Sequence, residues 1–436
     1  MSLRDFFQSE RPIARVMNNL GWLMGGKGFG AALSLFYLAL ATQLLGPEQF
    51  GYFTLVLGTA QAISGIVSFQ SWQLVIRFGN HNLANQEDGS GENNRLVTFC
   101  VMLDLCAAII GLILAVVVIV VFAERFDWTR NFTITALLFT AVMLLSVKSS
   151  AIGALRLYDR FRDDALAAAV IPLVRMLGAL AAWHFSPTVQ GFLMAWATAE
   201  ITAATAYWLL VRAKTPIRFA RSNFAALKNL PGRYTDFYHF AFITNGGATL
   251  KSLAQQVPVL VVGFVVGPSA AGFFRLAYQL KDAASRFAEM LSRSLYAEFS
   301  SLHARGSTED SMLLFVQLRK IAAIGALLLI SLAYFAGKPI LTFVAGQDFL
   351  PAYPILLVLA AASAVELFGV GHEPRLMAIG KPQISLGIRA VSAIALIGVM
   401  VVLLPRLGTM GAAYASLSYS SLSIAMLLWY NWRTNR

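Results

Sequence analysis

Apolar stretches of about 20 residues recur along the whole sequence, and they restrict the possible folds more than any other feature. A helix needs about 20 apolar residues, at 1.5 Å each, to cross the ~30 Å hydrocarbon layer of a bilayer. The sequence therefore predicts an all-α, polytopic membrane protein with twelve transmembrane helices. Their approximate ranges are 20–45, 49–77, 97–123, 132–155, 164–185, 188–212, 237–266, 270–299, 315–337, 349–371, 383–404 and 408–430.

The composition supports a membrane location. Of the 436 residues, 58% are apolar and 13% are charged, and the mean hydropathy is +0.66. Soluble domains have about 45–50% apolar and about 25% charged residues. The difference excludes an ordinary cytosolic enzyme, a disordered regulator and a nucleic-acid-binding domain. We attribute the net charge of +12 to the excess of Lys and Arg that cytoplasmic loops carry.

The distribution of basic residues predicts the orientation of the chain. With the N-terminus inside, the outside turns hold only Arg125, Arg130, Lys338 and Arg406, and the inside segments hold most of the other Lys and Arg residues between spans. This distribution follows the positive-inside rule, so both termini are predicted to be cytoplasmic. Residues 1–19 are polar and charged, and we expect a cytoplasmic amphipathic segment there rather than a cleavable signal peptide.

An internal repeat divides the chain into two halves. The motif GPEQFGYF at Gly46–Phe53 returns as GPSAAGFF at Gly267–Phe274. Because each half holds an even number of spans, the repeats are expected to be parallel, with a cavity between them as in transporters. The predicted parts are an N-lobe at 20–212, a cytoplasmic linker at 213–236, a C-lobe at 237–430 and a cytoplasmic tail at 431–436.

The eighth predicted span carries a stripe of charged residues. An ionisable group deep in a membrane costs about 2.5–3.5 kcal/mol on insertion scales, and it usually faces protein or water. The stripe places its members within about 40° of one line on a helix. It either lines a cavity or joins two helices. Its members are Arg275, Asp282, Arg286, Glu289 and Arg293.

Polar residues on three other spans extend the candidate site. Asn245 and Gln256 belong to a neutral polar face of the seventh span, and Lys251 lies beside it. Lys27 lies in a glycine-rich part of the first span, and Gln61 belongs to a polar stripe of the second. These residues either contact substrate in a cavity or join one helix to another.

Acidic residues in three further spans are candidates for ion coupling. They are Asp104, Glu200 and Glu366. Each either carries a coupling proton, as Asp282 and Glu289 also could, or pairs with a basic neighbour such as Arg175 or Arg389.

The sequence has no motif that indicates an enzyme. It holds no nucleophile motif, no paired catalytic carboxylates, no set of metal ligands and no loop large enough for an active site. Cys100 and Cys106 lie six residues apart in one apolar run, on different sides of a helix, and we expect them not to pair. We predict a protein that is not an enzyme and that needs no metal or other cofactor.

Four segments resemble a known family of membrane proteins. They are LLGPEQFGYFTLV (44–56), GPSAAGFFRLAYQL (267–280), GKPILTFVAGQDFLPAYPILLVLA (337–360) and RLMAIGKPQISLGIRAV (375–391). They are similar to the Wzx-type oligosaccharide flippases, which belong to the multidrug/oligosaccharidyl-lipid/polysaccharide exporter (MOP) superfamily. The resemblance covers most of the chain.

The resemblance implies both a shape and a function. It implies a V-shaped pair of six-helix lobes in the inner membrane that moves undecaprenyl-diphosphate-linked repeat units outward by alternating access. These units serve lipopolysaccharide or exopolysaccharide assembly. The family has a cationic lumen, which Lys27, Lys251, Arg275, Arg286 and Arg293 would supply here. The expected partners are a lipid-linked oligosaccharide, membrane lipids, a polysaccharide polymerase and glycosyltransferases, without nucleic acid.

Two alternatives remain open at this point. The first is a drug exporter of the same superfamily, coupled to protons or sodium. It should place unpaired acids in its cavity for cationic drugs, whereas the central charges here are mainly basic. The second is a membrane scaffold of a polysaccharide synthase complex that transports nothing.

Overall fold

The structure is a computed structural model that describes residues 12–84, 89–219, 234, 236–282, 308–369, 372, 376 and 382–434. The side chains of residues 12–29, 31–32, 89–90, 308–321, 382, 432 and 434 lie outside this description. Residues 1–11 of the predicted amphipathic segment 1–19 therefore lie outside it, as do the side chains of 12–19.

Helices form the secondary structure of the described residues, which include no strand. The first eight helices are α1 Pro12–Val67, α2 Ser71–Ala84, α3 Gly89–Arg125, α4 Arg130–Leu145, α5 Ser149–Leu157, α6 Phe161–Phe185, α7 Val189–Lys214 and α8 Phe237–Val265. Helix α9 begins at residue 268 and is described as far as 282. The last helices are α10 Thr308–Ala345, α11 Ala352–Phe368, α12 Pro382–Leu407 and α13 Thr409–Thr434, with a 3-10 turn at Gln347–Phe349 before α11.

The predicted all-α membrane fold is confirmed. Within the described residues, eight helical segments are long and apolar enough to cross a bilayer. They are Leu33–Ala84, Gly91–Arg125, Arg130–Leu157, Phe161–Phe185, Phe237–Val265, Ala322–Ala345, Gln383–Leu407 and Thr409–Asn431. Helix α7 matches the predicted span 188–212 but is not one of these eight. The count of twelve stays a prediction.

Two predicted spans are interrupted. The predicted span 49–77 is broken at 68–70, and the predicted span 132–155 is broken at 146–148. At the second break the Ser146 hydroxyl donates a hydrogen bond to the Val142 carbonyl oxygen at 2.6 Å. Serine side chains compete in this way with the backbone hydrogen bonds of a helix. Each of these two predicted spans therefore comprises two helices.

The first two predicted spans are joined by a kink inside helix α1 rather than by a loop. Helix α1 contains the first predicted span and residues 49–67 of the second, and its direction changes at Gly46, where φ is 68° and ψ is 176°. Glycine adopts a positive φ without the steric penalty that a Cβ atom imposes. The glycine of the repeated motif therefore sets the turn between the first two spans.

The two copies of the repeated motif pack against each other in a reciprocal way. A Cβ atom on Gly51 would lie 1.9 Å from the Pro268 carbonyl oxygen, and one on Gly272 would lie 2.6 Å from the Pro47 carbonyl oxygen. Each motif thus places its second glycine against the proline of the other copy. The glycines are needed because the two backbones leave no room for a side chain.

Replacement of Gly272 by alanine should destabilise the protein. The new methyl group would meet the Pro47 backbone, and forcing extra atoms into such a contact costs about 1–3 kcal/mol. We expect a lower unfolding temperature in detergent for Gly272→Ala than for the wild type. Gly398→Ala is the matched control, because a Cβ atom on Gly398 has nothing within 4 Å. Equal unfolding temperatures for the two variants would contradict the close contact.

The chain forms two compact units. The first comprises Met1–Leu44 and Thr59–Ser252, and the second comprises Leu45–Gly58 and Leu253–Arg436. In the first unit α6 packs on α7, and α2 packs on both α3 and α5. In the second unit α12 packs on α13, and α11 packs on both α10 and α13. The candidate site residues are distributed over both units.

Candidate functional site

A buried group of three charged residues lies in the first unit. Glu200 on α7 is only 3% exposed, and its carboxylate accepts hydrogen bonds from Lys148 and from Arg175. The Arg175 Nη2 atom is 2.8 Å from Glu200 Oε1. One carboxylate between two cations leaves a surplus of one positive charge, so the acid considered for proton coupling is bound by two basic groups.

The three charges of Lys148, Arg175 and Glu200 lie deep in the first unit, where unpaired charges would destabilise the fold. Arg175 lies near the middle of α6, and Lys148 lies in the break between α4 and α5. The Arg175 guanidinium also lies 5.4 Å from the ring centroid of Trp196, a distance at which cation–π attraction adds to the ion pair. Because charged groups at this depth are costly unless they are paired, the three charges depend on one another.

Lys148 was missed as a site residue by the sequence reasoning. A clear signal exists for it, because Lys148 is the only charged residue between Arg130 and Arg156. A single lysine in an otherwise apolar span predicts a buried partner. The pair of Glu200 with Arg175, by contrast, is one that the sequence suggested.

Asp104 has a different environment. It is buried on α3, and it accepts hydrogen bonds from the hydroxyl groups of Ser71 at 2.5 Å and Ser150 at 2.6 Å. Within the described part of the chain, Asp104 forms no ion pair. A buried carboxyl group that has only hydroxyl partners is much better suited to taking up a proton than one held by two cations.

A second group of polar residues lies in the second unit. Arg275 on α9 is 8% exposed, and its Nη1 atom donates to the Gln256 amide oxygen on α8 at 3.0 Å. Farther along α9, Lys281 pairs with Glu366 of α11 at 3.3 Å. The Ser420 hydroxyl of α13 donates to the same carboxylate at 2.7 Å. The structure thus brings together two predicted site residues from different spans, Arg275 and Gln256.

Part of the neutral polar face of α8 joins helices. The Thr249 hydroxyl donates to the Gly65 carbonyl oxygen at 3.0 Å, and the Ser252 hydroxyl donates to the Gln61 carbonyl oxygen at 3.4 Å. A Cβ atom on Gly65 would lie 1.9 Å from the Ser252 hydroxyl oxygen, so the two helices approach closely. Asn245 lies on the same helix, and its partly buried side chain is one turn before Thr249.

Lys251 has an exposed side chain at membrane depth. It is the middle residue of the 29-residue helix α8, about 21 Å from either end at 1.5 Å per residue. Its side chain is nevertheless exposed. A lysine at the bilayer centre is too costly to face hydrocarbon, and such groups face protein or a water-filled cavity.

Several predicted site residues lie outside the described residues. They are Arg286, Glu289 and Arg293, together with the side chain of Lys27. Asp282 is the last described residue of α9, and its side chain is partly buried. The charged stripe is therefore described only from Arg275 to Asp282.

Metal ligands and disulfides were also considered. Within the described ranges, no group of three or more His, Cys, Asp or Glu side chains is arranged to hold a metal ion. Cys100 is buried, Cys106 is exposed and both are free, as the spacing of the two residues predicts.

Comparisons with known proteins identify the family. The family model described as "Polysaccharide biosynthesis protein" matches residues 16–303, well over half of the chain. The chain belongs to this family. A curated relative is 29% identical over 348 residues, which are 78% of this chain and 95% of the relative, and it is the inner membrane protein YghQ of Escherichia coli K12.

Solved structures identify the fold. A multidrug resistance MATE family transporter of the MOP superfamily, in an inward-facing conformation, has a TM-score of 0.75 at 14% identity, over 92% of this chain and 94% of its own. The lipid II flippase MurJ has a TM-score of 0.72 at 14% identity, over 94% of this chain and 87% of its own. The predicted fold of the MOP superfamily is therefore confirmed, and the eight long apolar segments of the described residues support a multi-pass membrane protein.

Proposed function

We propose that this protein is a flippase of the inner membrane that translocates undecaprenyl-diphosphate-linked oligosaccharide repeat units by alternating access. Lys251 is the observation that carries the proposal, because its exposed side chain lies in the middle of α8, where a charged group faces protein or a water-filled cavity rather than hydrocarbon. A lipid diphosphate is an anion that enters a membrane protein from the bilayer. The membership in a polysaccharide biosynthesis family supports a sugar-bearing substrate.

The basic groups of the first unit fit the charge of such a substrate. A diphosphate carries negative charge through the membrane, and Arg and Lys provide charge-assisted hydrogen bonds to phosphate oxygens. Lys251 supplies an exposed cation, while the group of Lys148, Arg175 and Glu200 adds a buried surplus of one positive charge. The prenyl chain can remain in lipid during the movement, so the protein needs to shield only the headgroup.

A cation-coupled drug exporter is the second candidate, and Asp104 supplies the coupling site that it would need. A buried carboxyl group held only by Ser71 and Ser150 is suited to proton coupling, and the MATE transporter shares the fold. The same acid would also serve a flippase that uses the proton gradient. Asp104 therefore indicates a means of coupling in either case and does not identify the cargo.

Deletion of the gene for this protein tests the proposed cargo. We expect undecaprenyl-diphosphate-linked glycan to accumulate and surface polysaccharide to fall, because repeat units made on the inner leaflet remain there. Susceptibility to cationic drugs should stay unchanged. Normal surface polysaccharide together with greater drug susceptibility would overturn the proposal in favour of the exporter.

A further inference from the structure

A large apolar groove lies on the first unit. It has a volume of about 1000 Å³, and α3, α4, α7 and the segment after α7 line it. Its aliphatic walls are open: Leu138 on α4 is 63% exposed and Leu209 on α7 is 61% exposed. Helices α3 and α4 belong to segments long and apolar enough to cross a membrane, and at that depth such surfaces face hydrocarbon chains rather than water.

One end of the groove is basic and aromatic. Arg212 and Arg218 both line it there, with exposed side chains. The Arg218 Nη1 atom donates to the carbonyl oxygens of Thr215 at 3.0 Å and Ile217 at 2.7 Å, which hold the guanidinium at the mouth. No acidic residue occurs among the described residues that line the groove. This end has a charge complementary to a phosphate.

Two aromatic rings complete the same end. The Trp208 Nε1 atom donates to the Val147 carbonyl oxygen at 2.8 Å, so the indole ring is fixed at the groove wall. Its centroid lies 5.5 Å from that of Phe219. Tryptophan favours the level of lipid headgroups, where an apolar body and a polar edge are both satisfied.

The length of the groove corresponds to a single leaflet. Its lining on α7 runs from Ile201 to Arg212, which is about 16 Å at 1.5 Å per residue. Half of a ~30 Å hydrocarbon layer is about 15 Å. A phospholipid acyl chain crosses one leaflet in this way, with its phosphate at the interface.

We propose that this groove binds one anionic phospholipid of the bilayer, with an acyl chain along α3, α4 and α7 and its phosphate on Arg212 and Arg218. With the orientation predicted from the sequence, the lipid comes from the cytoplasmic leaflet. Lys251 is not among the residues that line the groove, and the lipid site does not depend on the proposed flippase function.

Native mass spectrometry of the purified full-length protein tests the proposal. The probes are phosphatidylglycerol and phosphatidylcholine with the same acyl chains. We expect one phosphatidylglycerol to remain bound at energies that remove phosphatidylcholine. The double variant Arg212→Ala/Arg218→Ala should bind phosphatidylglycerol about tenfold more weakly, which corresponds to the loss of about one charge-assisted contact.

Two further variants separate the headgroup from the chain. Ala204→Phe places a ring in the groove and should reduce binding of both lipids, and Ala141→Phe repeats this test on α4 if the first variant does not fold. Arg130→Ala removes an exposed arginine at the first residue of α4, outside the groove lining, and should change nothing. Three results would overturn the proposal. They are unchanged binding of phosphatidylglycerol by the double arginine variant, equal retention of both lipids by the wild type, and a polyprenyl phosphate as the retained lipid.

Discussion

Replacement of Lys251 by alanine should weaken the binding of a prenyl-diphosphate glycan by about 10- to 100-fold. A hydrogen bond to a charged group contributes about 1.5–3 kcal/mol, and each 1.4 kcal/mol is a factor of ten. The side chain is exposed in the middle of α8, so its removal creates no buried cavity and the protein should still insert. Affinity for a short-chain prenyl-diphosphate oligosaccharide in detergent, measured by calorimetry, gives the result.

Two companion variants make this test specific. Lys251→Arg keeps the positive charge and should retain most of the affinity. Lys214→Ala removes an exposed lysine at the end of α7 and should leave the affinity unchanged. If Lys251→Ala binds as well as the wild type, the α8 lysine has no part in substrate binding.

Replacement of Glu200 by alanine should lower the stability of the protein more than the Gly272→Ala replacement does. The change leaves Lys148 and Arg175 without their shared carboxylate. Removal of one partner from a buried ion pair destabilises a protein by about 3–5 kcal/mol, because a buried charge then lacks compensation. We expect a lower unfolding temperature and less correctly assembled protein, both measured by fluorescence-detected size-exclusion chromatography after heating.

A combined variant distinguishes the loss of the charge pair from a packing defect. Lys148→Met/Arg175→Met/Glu200→Met removes all three charges together, and it should recover much of the stability that Glu200→Ala loses. Glu124→Ala serves as the control, since Glu124 is an exposed acid at the end of α3. A triple variant as unstable as Glu200→Ala would show that the charges do not act as a group.

The positions of the helices could be predicted well because their length is set by the bilayer. Helix α7 covers 189–214 against a predicted 188–212, and α8 covers 237–265 against 237–266. The interruptions at 68–70 and 146–148 fall in short polar segments, SFQS at 68–71 and SVKSS at 146–150, which hydropathy averaged over about 20 residues does not resolve. At the second interruption both the backbone N–H and the side-chain hydroxyl of Ser146 donate to the Val142 carbonyl oxygen where α4 ends.

The candidate site was predictable in its residue types but less so in its contacts. The pairing of Glu200 with Arg175 was among the expected alternatives, because both residues lie near the middle of consecutive spans. The partners of Asp104 are 33 and 46 residues away in the chain, and serines give no distinctive signal in an apolar run. The contact of Arg275 with Gln256 joins two adjacent spans. Neither the charged stripe of the eighth predicted span nor the polar face of the seventh indicates by itself which residues meet.

Translocation by the purified protein in liposomes tests the central claim most directly. The substrate is a fluorescent undecaprenyl-diphosphate oligosaccharide in the inner leaflet, and a membrane-impermeant quencher reports its arrival outside. We predict protein-dependent translocation that falls at least about tenfold with Lys251→Ala, whereas a non-transporting scaffold would move nothing. Two results would contradict the account. The first is no translocation by the wild type under an imposed proton or sodium gradient, and the second is equal translocation rates for the wild type and Lys251→Ala.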